Sequence, residues 1–572
     1  MNFSRPTNSS DLPARVLRRA ILGAVAFALL GLTASCQAQQ AAPGAPASAI
    51  HDGDRIVFVG DSITGQGQNA GQGWAHLLDE TLRQSHAANP PTLVSLGGSG
   101  QGVGSWRDVE KRSRESNFKL DVPDVDVKES LDKPADVLVI MLGTNDVLSP
   151  NLRETPADFD GWATDYRALI AALRARVHPR VLGLATIPLC TEDPDSPKNR
   201  VIAQLNERLI QVAKTEDGLL LPTNASLWQM LGNGRELRPD FHVTQDFVHP
   251  NEAGHIAIAR GMQQGLGEPT TLLQTKYLAP LWKNSAPALP ALSYTLETVP
   301  GALDAPTQTY QINYRWTTAL PGEDTAAPAS APTVSLKLPA GWSATPQKLT
   351  ARAGSFTVSG TPDRAHNLLS LEATAGQNTR KTAIDIPARW LLGTANVHQI
   401  GWSADSSSFD AAKSHLPADD ALVAGQGWGQ PLQLAPDAPL QWALWTPSVN
   451  YLGGDRAGNV DFAAVRFFQV FEVGYGTRWI YSSRPRRVGL KLGTQAASDN
   501  SHLSLWMNGQ SLFAGHVGAN QGKVVDAQLN QGWNQLVFKS NHLRWQWQFS
   551  IDLVETPEDD LSDLRFATVA PQ

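Results

Sequence analysis

The sequence predicts an α/β fold built on a parallel sheet, continued by two β-sandwich domains. Three observations predict it. At 572 residues the chain is too long for a single hydrophobic core. From about Asp54 to Gly267, short β-branched runs alternate with helix-like segments, the pattern of a parallel sheet covered on both faces. After Gly267 long helical periodicity vanishes, and Pro, Thr, Trp and Gly become frequent between short β-like runs, the texture of antiparallel sandwiches.

The first segment reads as an address. Arg15, Arg18 and Arg19 precede the apolar run Ala20 to Leu32, which is too short to span a bilayer and fits the h-region of an export signal. "LTASC" follows. A Cys directly after small residues resembles a bacterial lipobox, with Cys36 as the lipidated first residue, although Thr33 stands where a larger aliphatic is usual. Simple cleavage near Ala38 is the alternative. Residues 1–36 are therefore expected to be an export or lipoprotein signal, and 37–50, rich in Ala, Pro and Gln, a linker. The expected location is lipid-anchored at a bacterial outer membrane, periplasmic or surface-facing, and otherwise periplasmic or secreted. With Cys36 lipidated or removed, Cys190 is the one cysteine left, so stability must come from core size and not from disulfides. Following the apolar "VLGLATIPL", Cys190 reads as a buried small hydrophobe.

The next domain is expected over 51–268. Its strands are "RIVFV", "TLVSL", "DVLVIML", "RVLGLATI" and "GLLLP"; its helices include "GWAHLLDETLRQ", "DGWATDYRALIAALRARV" and "NRVIAQLNERLIQVAKT". A linker is expected over 269–292, then an immunoglobulin-like sandwich over 293–389, with "TYQINYRW", "TVSLKL" and "SFTVSG" as strands. "GEDTAAPASAPT" within it reads as an exposed loop. A jelly-roll-like sandwich is expected over 390–572, where "WMNGQSLF" places Asn-Gly between apolar runs, the signature of a tight hairpin. About half of the 17 Trp residues fall there. The net charge of −7, with no long basic run, gives no reason to expect nucleic acid as a partner.

In a parallel sheet, reactive groups collect beyond the carboxyl ends of the strands. Three motifs stand there: Gly60-Asp61-Ser62-Ile63, then "SLGGSGQG" (95–102), then Gly143-Thr144-Asn145-Asp146. A fourth, "DFVHPNEAGH", places Asp246 three residues ahead of His249 after the last strand. Acyl transfer by a serine needs an adjacent base, for which neutral histidine serves best near pH 7, and a carboxylate to fix the imidazole tautomer. It also needs donors for the oxyanion: a backbone N–H on a close-approach glycine, an asparagine amide, or the N–H of the serine itself.

These four blocks resemble those of the SGNH, or GDSL-type, hydrolases over about Asp54 to Gly267. The resemblance implies a flavodoxin-like three-layer fold and a metal-independent esterase mechanism without a cofactor. Carried onto this sequence, it implies Ser62 as nucleophile, His249 as base, Asp246 as its orienting acid, and Ser62, Gly100 and Asn145 as oxyanion donors. The second block departs from the common Asn-x-Gly form, which leaves Gly97 and Gly98 as alternatives to Gly100. Asp61 reads as a cap or loop brace, and Asp146 as structural. His242, His249 and His255 match no common zinc spacing; His255 is expected to start a helix and pack. Trp74 either lines the acyl pocket or packs against the first helix.

For the substrate, the tail resembles β-sandwich modules attached to bacterial carbohydrate-active enzymes. With an export signal, this implies an esterase removing O-acetyl groups from polysaccharide, the tail being a candidate carbohydrate-binding module. A lipase or lysophospholipase, a peptidoglycan O-acetyl hydrolase or acyltransferase, and a non-catalytic glycan-binding protein are the alternatives. Membrane association is expected only through a lipid at Cys36, and the sequence fixes no oligomeric state.

Overall fold

The computed structural model describes residues 48–569 apart from 150–151, 153–154, 195, 247, 286–288, 324–329, 397–415, 435–438, 447–455, 463–471, 495–501, 543–546 and 555–560. The expected signal at 1–36, its anchor Cys36 and nearly all of the linker at 37–50 lie outside the described residues, as does part of the loop expected around 324–329.

Strands β1 (Arg55–Gly60), β2 (Thr92–Gly97), β3 (Val137–Met141), β4 (Val181–Ala185) and β5 (Leu219–Leu221) form a parallel sheet in the order β2-β1-β3-β4-β5. Each coincides with one of the β-branched runs. Alternation along β1 sends Ile56 and Phe58 into one core and Val57 and Val59 into another. Eight helices matter for the site: α1 (Ser62–Asn69), α2 (Trp74–Ser85), α3 (Val103–Glu115), α4 (Thr144–Leu148), α5 (Pro156–Val177), α6 (Pro197–Thr215), α7 (Thr223–Leu237) and α8 (Glu252–Leu266). Side chains of α2, α7 and α8 fill the core with Ile56 and Phe58; those of α3, α5 and α6 fill the other. The sheet is therefore the middle of three layers.

Local signals set the helix ends. Thr155 caps α5 through the Asp158 N–H, Pro156 takes the first position, and His178 ends the helix at φ 49°. Asn251 caps α8 through the Gly254 N–H, and Gly267 closes it at φ 74°. Helix α3 is the least visible in sequence. It is rich in charge, and Val103, Trp106 and Val109 are the apolar side chains it buries.

The stretch expected as a linker, 269–292, is in good part structured. A π-helical turn at Leu273–Leu278 runs into α9 (Ala279–Ser285). Leu273, Leu278 and Trp282 are buried in the core of Ile56 and Phe58, and the Trp282 ring lies 5.7 Å from that of Phe241. Three apolar side chains spaced along one helical face give too short a pattern to stand out beside the neighbouring prolines.

Beyond α9, β6 (Ala291–Val299) and β7 (Gln308–Thr317) pair with strands at Ala353–Gly360 and Ser343–Thr345 in one antiparallel sheet. Strands at Lys348–Thr350, Thr333–Lys337, His366–Ala375 and Asn378–Pro387 make a second. The two enclose Tyr310, Ile312, Phe356, Val358, Leu371 and Ile384. This sandwich holds the last turn of α7: Thr317 Oγ1 donates to the Glu236 carbonyl at 3.1 Å, and Arg315 pairs with the Glu236 carboxylate at 2.9 Å.

From Trp390 onward the chain forms a seven-stranded and a four-stranded antiparallel sheet around a further core. The expected hairpin is there. Asn508 and Gly509, at φ 52° and 80°, link His502–Met507 to Gln510–His516 with Met507 paired to Gln510. Trp390 and Trp547 are core residues.

Candidate active site

The order of the sheet sets the site. Connections leave β1 and β3 in opposite directions, so a crevice opens past their carboxyl ends. Gly60, the last residue of β1, pairs with Gly97 of β2 on one side and Met141 of β3 on the other. The residues just beyond these three, Ser62, Gly100 and Asn145, are thereby brought to one rim.

Ser62 is the first residue of α1. Asp61 caps that helix by accepting the Ile63 N–H at 2.9 Å. The turn before it is tight: a Cβ on Gly60 would lie 2.0 Å from Thr64 Oγ1. Trp106 of α3 donates its indole N–H to the Gly60 carbonyl at 2.7 Å, and Trp74 donates its own to the Ile63 carbonyl at 3.0 Å. Both rings are buried, and Trp74 packs edge-on against Phe58. Of the two readings of Trp74, packing is therefore the one the structure shows.

Asp246 and His249 come from the loop between α7 and α8. His249 Nε2 lies 2.9 Å from Ser62 Oγ, and His249 Nδ1 lies 2.6 Å from Asp246 Oδ2. Asp246 Oδ1 also accepts the N–H groups of Val248 and His249, at 3.1 and 2.7 Å. The three-residue spacing works because the chain turns back on its own carboxylate. Burial disfavours the imidazolium, yet the Asp246 hydrogen bond and charge outweigh it, and His249 sits above the ordinary histidine pKa. Burial likewise pushes Asp246 up, but its bonds to His249 and to backbone N–H groups hold it below the ordinary carboxylate value.

Of the three candidate glycines of the second block, Gly97 belongs to β2, and a Cβ there would lie 2.1 Å from the Gly65 nitrogen. Gly98 donates its N–H to the Gly60 carbonyl at 3.2 Å. Gly100 has φ +73°, and a Cβ built on it would meet nothing within 4 Å. Its surroundings are thus open where those of the other two are filled. Asn145 follows Gly143, whose φ of +133° turns the chain sharply after β3. One amide hydrogen of Asn145 goes to the Gln101 carbonyl at 3.0 Å, tying the second and third blocks together and leaving the amide its other hydrogen.

The two neighbouring aspartates are braces. Both Asp146 oxygens accept the Val103 N–H, at 3.1 and 3.2 Å, at the start of α3. Burial raises Asp61 to about 7 and Asp146 to about 6. His255 lies buried in α8, its Nδ1 3.4 Å from the Trp74 N–H, and burial lowers it to about 4, which keeps it neutral. Burial pushes the Cys190 thiol up to about 12. Among the described residues no group of His, Cys, Asp and Glu is arranged to hold a metal ion.

One residue of this region escapes the sequence. Glu192, in the loop after β4, is buried and bonded to the loop that carries Asp246 and His249. A lone Glu in "CTEDPD" gives no pattern from which to find it.

Residues 58–257 match the model of the GDSL-like lipase/acylhydrolase family. An acetylxylan esterase of Geobacillus stearothermophilus is 26% identical over 234 residues, 38% of this chain and 96% of that protein. Among solved structures, that of an acetylxylan esterase from the same organism covers 39% of this chain and 97% of its own, at 24% identity and a TM-score of 0.30. An α/β hydrolase from the metagenome of Lake Arreo, Spain, covers 38% of this chain and 98% of its own, at 22% identity and a TM-score of 0.30.

Proposed function

From the premise that residues 58–257 are a domain of the GDSL-like lipase/acylhydrolase family, and the chain a carboxylic ester hydrolase, we propose that Ser62, His249 and Asp246 hydrolyse small acyl esters, foremost O-acetyl groups on carbohydrate. The observation that carries this reading is the hydrogen-bonded series from Ser62 Oγ through His249 to Asp246, at 2.9 and 2.6 Å.

The mechanism has two steps. His249 takes the Ser62 proton as Oγ attacks the ester carbonyl, and the oxyanion is held by the N–H groups of Ser62 and Gly100 and by Asn145 Nδ2. His249 then protonates the leaving alcohol. A water deprotonated by the same imidazole attacks the acyl-serine, and His249 returns its proton to Oγ as the acid leaves. Asp246 keeps the Nδ1–H tautomer and stabilises the imidazolium. The Ser62 N–H lies at the N-terminus of α1, where backbone donors face an incoming negative charge.

The acetyl preference is supported by the acetylxylan esterase relative, and the carbohydrate reading also by the β-sandwich company of the domain. Export, with or without a lipid at Cys36, agrees with a polymeric substrate met outside the cytoplasm.

The test is release of p-nitrophenol from esters of increasing chain length, with Ser62→Ala alongside, followed by acetate release from acetylated xylan. Activity highest on acetate and absent in Ser62→Ala is expected. Rates that rise with chain length would favour a lipase, and activity retained in Ser62→Ala would overturn the nucleophile.

A further inference from the structure

We propose that Glu192 is a positioning residue of this esterase, one carboxylate that fixes the loop delivering Asp246 and His249 to Ser62. The proposal rests on the Ser62–His249–Asp246 reading above.

The Glu192 side chain is 3% exposed. Its Oε1 accepts the Val243 N–H at 2.8 Å, the Thr244 N–H at 3.0 Å and the Thr244 hydroxyl at 3.0 Å. Its Oε2 lies 2.7 Å from His242 Nδ1 and 2.8 Å from an Arg235 guanidinium nitrogen. A carboxylate this buried is costly unless nearly every lone pair is used, and five donors use them here. Burial acts to raise its pKa, but the hydrogen bond and charge of His242, the charge of Arg235 and the Val243 N–H hold Glu192 below the ordinary value.

These bonds fall where they control the loop. Thr244 bridges to Pro250, Gln245 donates its N–H to the His249 carbonyl at 2.9 Å, and Asn251 donates its N–H to the Val243 carbonyl at 3.1 Å. The described residues from 243 to 251 are thus folded back on one another. Anchoring Val243 and Thr244 from β4's side of the sheet therefore sets where His249 and Asp246 lie. Arg235 adds a second tie: its Nη1 donates to the Glu192 carbonyl at 3.2 Å and its Nε to the Phe241 carbonyl at 3.4 Å. Small displacements of a general base matter, because catalysis depends on sub-ångström placement.

The experiment uses the full chain and p-nitrophenyl acetate. Glu192→Gln keeps the shape and one acceptor but turns an NH2 toward Arg235 and His242. It is expected to lower kcat on the order of 10- to 100-fold with KM near wild type. In a His249→Ala background there is no base left to place, so Glu192→Gln should cause no further loss of the residual rate. A merely structural role would reduce the active fraction equally in both backgrounds, and that result would overturn the proposal, as would a folded Glu192→Gln enzyme at wild-type kcat. Should Glu192→Gln not fold, Thr244→Val, which removes one of the five bonds, takes the same pair of comparisons, with a smaller loss of kcat expected. Ser62→Ala separates the two levels: activity in that variant would defeat the triad reading itself, whereas its silence beside an unaffected Glu192→Gln would defeat only the positioning role.

Discussion

His249 Nε2 stands 2.9 Å from Ser62 Oγ although 187 residues separate the two in sequence. The contact joins the end of the first strand to a loop that follows the fifth strand and α7 along the chain. Removing either side chain should remove the chemistry and spare the fold, since both stand at the rim and not in a core. Ser62→Ala and His249→Ala are each expected to lose activity on the order of 10⁶-fold, with melting temperatures close to wild type. Esterase assays and thermal denaturation on the same preparations check this.

Asn145→Ala should lower kcat about 10²–10³-fold, the cost of one oxyanion donor, with KM little changed. The same substitution frees the Gln101 carbonyl, which accepts from Asn145 at 3.0 Å, so a modest loss of stability should accompany it. A variant of wild-type kcat would show that the amide does not face the oxyanion.

The glycines offer a contrast. Gly97→Ala would place Cβ 2.1 Å from a backbone nitrogen of α1, where nothing flexible can yield. It is expected to prevent folding or to cost several kcal/mol, as overpacked backbone contacts do. Gly100→Ala meets no atoms but must hold φ +73°, a strain of about 1–2 kcal/mol. It should therefore yield soluble protein of lowered melting temperature, and comparison of the two variants by expression and thermal denaturation checks the prediction.

Titration follows from the charges. The base must be neutral, so kcat/KM should rise with pH through the His249 pKa, which lies above the ordinary value. Asp246 raises that pKa, so Asp246→Asn should move the acidic limb to lower pH. The Asp61 charge adds to that rise, and Asp61 also affects stability. Its folded pKa of about 7 lies above the unfolded one, so the folded state binds the extra proton between them, and stability falls as pH rises through that window. Asp61→Asn keeps the oxygen that caps α1 and cannot ionise. Its melting temperature relative to wild type should therefore climb from pH 5 to pH 8, and parallel melts across that range test it.

A truncation test follows from α9. A chain ending at residue 268 exposes the core that Leu273, Leu278 and Trp282 cover, a loss of about 5 kcal/mol or more from burial alone. A chain ending at residue 285 keeps that cover. The longer piece is expected to fold with a higher melting temperature than the shorter, whatever the sandwich domains add.

Much of this molecule is written in its local pattern. The five parallel strands lie where short apolar runs stand, most completely in the central β3, buried at every position, and less so at the edges β2 and β5. Ser62, Asn145, Asp246 and His249 stand out as candidates because each sits in a short block with its own chemical signature, whereas the second block offers three glycines that the sequence does not tell apart. Tertiary structure decided what no local pattern carries. The strand order placed the first three blocks on one rim, and the turn of the chain on Asp246 aimed His249 at Ser62. Whether Gly97, Gly98 or Gly100 has open surroundings depended on what lies across from each: Gly65, Gln101 with Leu120, and nothing. Trp74 was settled as a packing residue by Phe58 and the Ile63 carbonyl, and Leu273–Ser285 is helical with Leu273, Leu278 and Trp282 buried against a core face beside it. Glu192 is the clearest case, since a single buried carboxylate takes its meaning from five donors, four of them on residues 50 to 52 positions away. Sequence specifies residue types at short range, and only the fold brings distant ones within hydrogen-bonding reach.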